Sequence, residues 1–220
     1  MHLTNLTLDD NYFTGSIPSS FNKLSNLLEF DLSFNLLIGT IPDIFHNITN
    51  LDKIHLDSNQ LFGTLPISIG TLSNLTRLFI QNNNFCGDLK NIFNSTNQRN
   101  LNNIQLSNNQ FTGELPEQLF LSSSLVAVSA VSNCFHGTIP STICLNKKLE
   151  TLALDGLVCA SSCQTKILPG LSSSYVSSRS ITGNIPECLW PMPKLKVLHL
   201  SGNSLTGTLP SELFKADNSS

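Results

Sequence analysis

The chain is 220 residues long with a formal net charge of −3, which leaves no basic footprint for a nucleic acid. Charged residues make up only 12% of it, so Asn, Ser and Thr do most of the solvating, a profile that suits a secreted, glycosylated surface. No stretch is apolar for long enough to span a bilayer, and Met1 leads straight into a repeat with no signal-peptide pattern before it.

One pattern recurs along the chain, and internal repetition decides a fold before propensity does. Copies open at Leu3, Leu27, Leu51, Leu75, Leu101, Leu125, Leu149 and Leu195, at spacings of 24 or 26 residues except the last, which is 46. Each reads L-x-x-L-x-L-x-x-N-x-L-x-G-x-I/L-P, followed by about eight residues with two more apolar anchors. The closely spaced apolar residues lie two apart, so in an extended segment both face inward and those between face solvent. One such strand cannot bury its own apolar edge; stacked copies bury each other's. Parallel strands are therefore expected around Leu6, Phe30, Ile54, Leu78, Ile104, Val128, Leu152 and Leu198.

The remaining positions have jobs of their own. The Asn (Asn11, Asn35, Asn59, Asn83, Asn109, Asn133, Asn203) offers donors and an acceptor to the backbone where the chain leaves the strand. The Gly permits a tight bend or a positive φ, and the Pro, lacking an N–H, ends the segment that precedes it. A row of Phe13, Leu37, Leu61, Phe85, Phe111, Phe135 and Leu205 should stack as an apolar spine.

Repeats one to three are regular. The fourth has Lys90 in place of its Pro and carries two extra residues in the Asn-rich stretch 94–100. The sixth shows a plain outer face of Ala127, Ser129 and Val131. In the seventh the distance from the leading Leu149 to Gly183 is 34 residues instead of 12, which locates a 22-residue insertion within 155–180, with Leu157 where the Asn belongs. Eight Ser between Ser161 and Ser180 make that insertion a surface loop. The expectation for residues 1–220 is one solenoid of eight repeats. Neither end shows the polar cap that solenoids need, so a fragment of a longer chain is expected.

This pattern resembles the plant-type leucine-rich repeat, LxxLxLxxNxLxGxIPxxLxxLxx, over essentially the whole chain, and the G-x-I-P element is what marks the plant type. The resemblance implies an α/β fold: a right-handed leucine-rich-repeat solenoid with a parallel β-sheet on its concave face and short second strands, 3-10 turns or short helices on the other sides. It also implies a non-catalytic extracellular recognition module, as part of a receptor or as a secreted inhibitor of other enzymes, with a protein or peptide as the partner. A segment of this kind makes no membrane contact itself, and an anchor elsewhere in a longer protein is left open.

Six cysteines in such a chain suggest disulfides whose connectivity sequence cannot give. Cys144, Cys159, Cys163 and Cys188 surround the insertion and are the candidates. Cys144 can reach Cys188 or Cys163, and Cys134 can reach Cys159 on the neighbouring repeat. Cys86 lies two repeats from Cys134, too far to bridge. A zinc site around Cys159 and Cys163 is the alternative, set below stapling because secreted loops are usually disulfide-bonded; no metal or cofactor is expected. Five N-x-S/T sequons, at Asn5, Asn47, Asn74, Asn94 and Asn218, are the glycosylation candidates.

No catalytic constellation emerges. His55 and His199 share an outward column but stand five strands apart, at about 24 Å, and no Ser sits in a nucleophile elbow. A second class of function is surface-lattice (ice) binding, suggested by the column Ser16, Thr40, Thr64, Asp88, Glu114, Thr138, Asn184 and Thr208, although Asp88 and Glu114 break the hydroxyl ladder. The partner-binding expectation falls on the concave face at Lys53, His55, Asp57, Arg77, Phe79, Gln81 and Gln105. There Phe79 should point to water beside Arg77, and exposed aromatics flanked by Arg are typical interface anchors. Asp9, Glu29 and Asp31 make the adjoining end acidic.

Overall fold

The computed structural model describes residues 2–156, 163–166, 175–177 and 180–211. Each repeat enters on a three-residue strand: Asn5–Thr7, Glu29–Asp31, Lys53–His55, Arg77–Phe79, Asn103–Gln105, Ala127–Ser129, Thr151–Ala153 and Val197–His199. These strands form one parallel eight-stranded sheet in chain order, centred on the eight expected positions. Because pairing is between equivalent residues, Asp31 opposite His55 and His55 opposite Phe79, the sequence period becomes sheet register. The central residue of each strand points inward, and Ile54, Leu78, Ile104 and Leu152 are completely buried.

The chain then turns through a left-handed residue: Asp10, Phe34, Ser58, Asn82, Asn108 and Ser132 have φ between 51° and 57°, and Gly202 has 69°. That position carries no consensus residue, so the pattern does not announce it. Phe34 shows that a bulky side chain is held there although the conformation costs it about 1–2 kcal/mol.

The residue after that turn is the repeat Asn, and it faces backwards along the stack. Asn59 donates Nδ2–H to the Leu32 carbonyl of the preceding repeat (2.9 Å) and accepts through Oδ1 from the Leu37 N–H of the same repeat (3.0 Å). Asn83 does the same to Leu56 and Leu61, Asn109 to Ile80 and Phe85, and Asn133 to Leu106 and Phe111. Each side chain is buried, and each satisfies backbone groups that the turn leaves without a ladder partner.

Past the Asn runs a second parallel sheet of eight strands: Thr14–Gly15, Leu36–Gly39, Gln60–Gly63, Asn84–Asp88, Gln110–Glu114, Cys134–Thr138, Ile181–Asn184 and Ser204–Thr206. The repeat Gly ends the consensus part of these strands with positive φ. At Gly113 the φ of 86° is what favours glycine; a Cβ there would also meet the Asp88 carboxyl group at 2.6 Å, which that side chain can relieve by turning.

The third side is short 3-10 turns at Ser19–Lys23, Ile67–Thr71, Ser141–Leu145 and Glu187–Leu189 and one α-helical turn at Glu117–Phe120, each directly behind a repeat Pro. Between the three sides lies a continuous apolar core. Its spine includes Phe85, Phe111 and Phe135, stacked near-parallel at centroid spacings of 6.3 and 6.5 Å.

The insertion contains more than a loop. Gln164–Lys166 and Tyr175–Ser177 pair as an antiparallel two-stranded ladder. The solenoid path resumes at Ile181–Asn184, which pairs with the strands of the flanking repeats. A Cys144–Cys188 disulfide joins two 3-10 turns across the insertion (Cα–Cα 5.5 Å), and a Cys134–Cys163 disulfide ties the foot of the insertion to the second sheet (Cα–Cα 5.3 Å). Cys134 thus pairs with Cys163 rather than with Cys159, because Cys163, immediately before the inserted strand, comes against the Cys134–Thr138 strand. Cys159, Leu157 and Asn218 lie outside the described residues.

Candidate functional site on the concave face

The strand pattern puts two residues of every repeat on the outer face of the first sheet and a third at the strand exit, in columns that run across the repeats. One column reads Glu29, Lys53, Arg77, Asn103; the next Asp31, His55, Phe79, Gln105. The third, at the exit, holds Ser33, Asp57, Gln81 and Ser107.

In the first column Glu29 accepts from Asn5 Nδ2 through one oxygen (2.9 Å) and pairs with Lys53 Nζ through the other (3.2 Å). Arg77, exposed and next in line, has no ion-pair partner among the described residues. Beyond it Gln105 turns its amide back to the Asn103 side-chain oxygen at 3.2 Å.

In the second column Asp31 binds the backbone N–H and hydroxyl of Ser33 with one oxygen and His55 Nδ1 with the other, at 3.1 Å. The His55 imidazole lies flat on the Phe79 ring, with centroids 4.6 Å apart and planes within 9°. Phe79 is therefore half-buried, not free in water as its sequence neighbours suggest: the imidazole from the preceding strand covers one of its faces. The stack is a stiff shelf, fixed at one end by the Asp31 carboxylate.

Deeper in the face, two side-chain atoms are buried without a hydrogen bond, His55 Nε2 and Gln81 Oε1. Asp57 is 5% exposed, and burial pushes its carboxyl above the usual carboxylate range despite the opposing pull of a backbone hydrogen bond and of His55. The arrangement offers an aromatic edge, an unpaired guanidinium and inward-set polar atoms. Among the described residues no group of three His, Cys, Asp or Glu side chains is placed to hold a metal.

The structure thus brings Lys53, His55, Asp57, Arg77, Phe79 and Gln81 onto two adjacent strands and their exits, with Gln105 on the next strand. It adds Glu29 and Asp31 as the groups that position Lys53 and His55. Those two were visible as the residues one 24-residue period earlier, the signal that finds them. His199 at the far end faces the strand-exit residue Asp155 at 3.7 Å, has Ala153 where His55 has Asp31, and does not meet His55. Of the sequons, Asn5, Asn47, Asn74 and Asn94 are exposed; Asn5 stands on the concave sheet and the others outside both sheets.

The fold and the repeat chemistry define a leucine-rich-repeat protein. Family models described as leucine-rich repeats match residues 1–61 and, separately, 100–121 and 194–216, which with the similar structures supports a plant-type leucine-rich-repeat protein. No curated protein sequence matches it significantly. Among solved structures it is similar to the ectodomain of the Arabidopsis thaliana membrane receptor kinase GASSHO1/SCHENGEN3 in complex with CASPARIAN STRIP INTEGRITY FACTOR 2. Identity there is 30% and TM-score 0.68, over 96% of this chain and 25% of that one. It is similar as well to PEPR1 in the PEPR1–AtPEP1 structure, at 30% identity and TM-score 0.73, over 96% of this chain and 30% of that one. A plant ice-binding protein shares the fold at 22% identity and TM-score 0.67, covering 96% and 68% of the two chains. The chain spans about a quarter to a third of the receptor ectodomains it resembles.

Proposed function

We propose that this chain is the recognition part of an extracellular receptor-like or secreted protein, and that it binds a peptide or protein segment across the concave face at Lys53–His55 and Arg77–Phe79. The observation that carries the reading is the Asp31–His55–Phe79 stack beside an unpaired Arg77. Three side chains are ordered in advance, so little rotamer entropy remains to be lost on binding, and the guanidinium is free for a carboxylate or a backbone carbonyl. Acidic groups on the N-terminal side and a cation beside them favour one orientation of a charged ligand. The similarity to two receptor ectodomains solved with CASPARIAN STRIP INTEGRITY FACTOR 2 and AtPEP1 supports this class of partner. The disulfides and exposed sequons support an extracellular setting.

Selection of peptides against the immobilised chain tests the reading. Phe79→Ala and Arg77→Ala should each weaken the selected peptides by at least about 1 kcal/mol, roughly fivefold. Undiminished binding by the double variant would move the site off this face. The Thr column that suggests ice binding carries Asp88 and Glu114 in its middle, and the likeness to an ice-binding protein extends to the fold alone, so the concave reading is preferred.

A further inference from the structure

The second sheet turns one face to the core and the other outward, and the outward face changes character along the stack. In its first three repeats the outward positions and the turn before them hold Tyr12, Phe34, Leu36, Ile38 and Phe62, which are 89%, 58%, 43%, 48% and 51% exposed. Leu37 and Leu61, between them in sequence, point inward and are buried, so the exposed set is not core spilling over. Further along the same positions are mostly polar, with Gln60, Asn84, Gln110 and Ser204 in one set and Thr112, His136, Thr182 and Thr206 in the other; Cys86 and Cys134 are the exceptions.

At those exposures the five side chains present on the order of 500 Å² of apolar surface, at the upper end of what an ordinary monomer shows in one patch. No charged residue lies on the strands Thr14–Gly15, Leu36–Gly39 or Gln60–Gly63; the first on this sheet is Asp88. None of the described sequons lies on it either.

We infer that this flank is where two copies of the chain associate, with their second sheets packed face to face about a two-fold axis. A twofold contact sets each residue of a patch against the same patch on the other copy, so it requires a surface that does not repel itself. An apolar strip whose strands carry no charge, with one carboxylate (Asp10, in the turn beside Phe34) at its margin, meets that condition, and it offers little to pair with a partner rich in charge. The area supports a second copy as well. Two such patches bury roughly 1,000 Å² with their rims excluded, at the low end for specific association, so the dimer should be weak and concentration-dependent. Packing through this side leaves both concave faces open. A dimer would then present two binding faces, and a two-ended or clustered ligand would be held by avidity rather than by new contacts. The dimer face does not depend on the concave reading, since one can fail while the other stands.

Sedimentation equilibrium on the purified chain between ~1 and ~100 µM tests it, the range in which an interface of this size assembles. A reversible monomer–dimer equilibrium is expected. Phe62→Lys, which places like charges across the axis, should weaken it at least tenfold with an unchanged thermal melt. Tyr12→Lys is the second variant, because a side chain 89% exposed can be charged without harm to the monomer, and it should weaken the dimer in the same direction. A chain monomeric at the highest concentration would overturn the proposal and assign the strip to a different partner. A dimer indifferent to both variants would overturn it by placing the contact elsewhere.

Discussion

At the scale of single residues, the informative group is Asp57. It sits at a strand exit beside the His55–Phe79 shelf, and burial raises its pKa. Well above both its folded and unfolded pKa values the carboxylate is charged in either state, and burying it costs stability. As pH falls through the raised native value the folded protein takes up the proton first, so Asp57 costs less; the relief is complete below the unfolded value. This is opposite in sign to an ion-paired carboxylate such as Glu150, whose pKa the Lys196 hydrogen bond lowers and whose contribution fades on acidification. Asp57→Asn should therefore raise the melting temperature at pH 7, and the gain should shrink when the melts are repeated at a pH of about 4. A lower melting temperature at pH 7 would mean that the carboxylate's hydrogen bonds and its attraction to His55 outweigh its burial. Column membership at this site was legible from spacing alone: a 24-residue period says that Asp31, His55 and Phe79 are neighbours. That the imidazole lies on the ring instead of beside it was not, because χ angles follow from packing that no spacing encodes.

At the scale of the element, the turn between the two sheets shows why a consensus can be read for one position and not for its neighbour. The Asn is written in seven copies because its amide has to match a fixed set of backbone groups, and substitution leaves them unpaired. The left-handed residue before it is Asp, Ser, Asn or Gly in six of seven copies, residue types that tolerate that φ, and only Phe34 is held there by the surrounding ladder. Asn109→Ala should destabilise by about 2–3 kcal/mol for the buried groups left without partners. The injury should appear one repeat away: the Phe85 amide, which donates to Asn109 Oδ1, should lose hydrogen-exchange protection while amides two repeats off keep theirs. Equal loss throughout the chain would mean that the amide has no local role. The inserted ladder of Gln164–Lys166 and Tyr175–Ser177 was the element least visible beforehand, since Ser-rich flanks outweigh two three-residue runs in any reading of composition.

At the scale of the whole molecule, the solenoid is a linear stack interrupted once and stapled there. The Cys144–Cys188 disulfide closes a sequence separation of 44, so in the chain-entropy account it is worth roughly 4 kcal/mol. Cys144→Ala with Cys188→Ala should lower the denaturant midpoint accordingly, and a midpoint unchanged within error would mean that the sixth and seventh repeats hold together without this staple. The Asn row has a wider consequence, because every one of its inter-repeat bonds reaches toward the N-terminal neighbour. The stack is vectorial: each repeat is finished by the one translated after it. Peeling a repeat from either side breaks ladder bonds of both sheets, but peeling from the C-terminal side also unseals the main-chain groups that the Asn row had satisfied. Assembly that follows the direction of synthesis is thus a sequence of provisional ends, each made permanent by the next arrival.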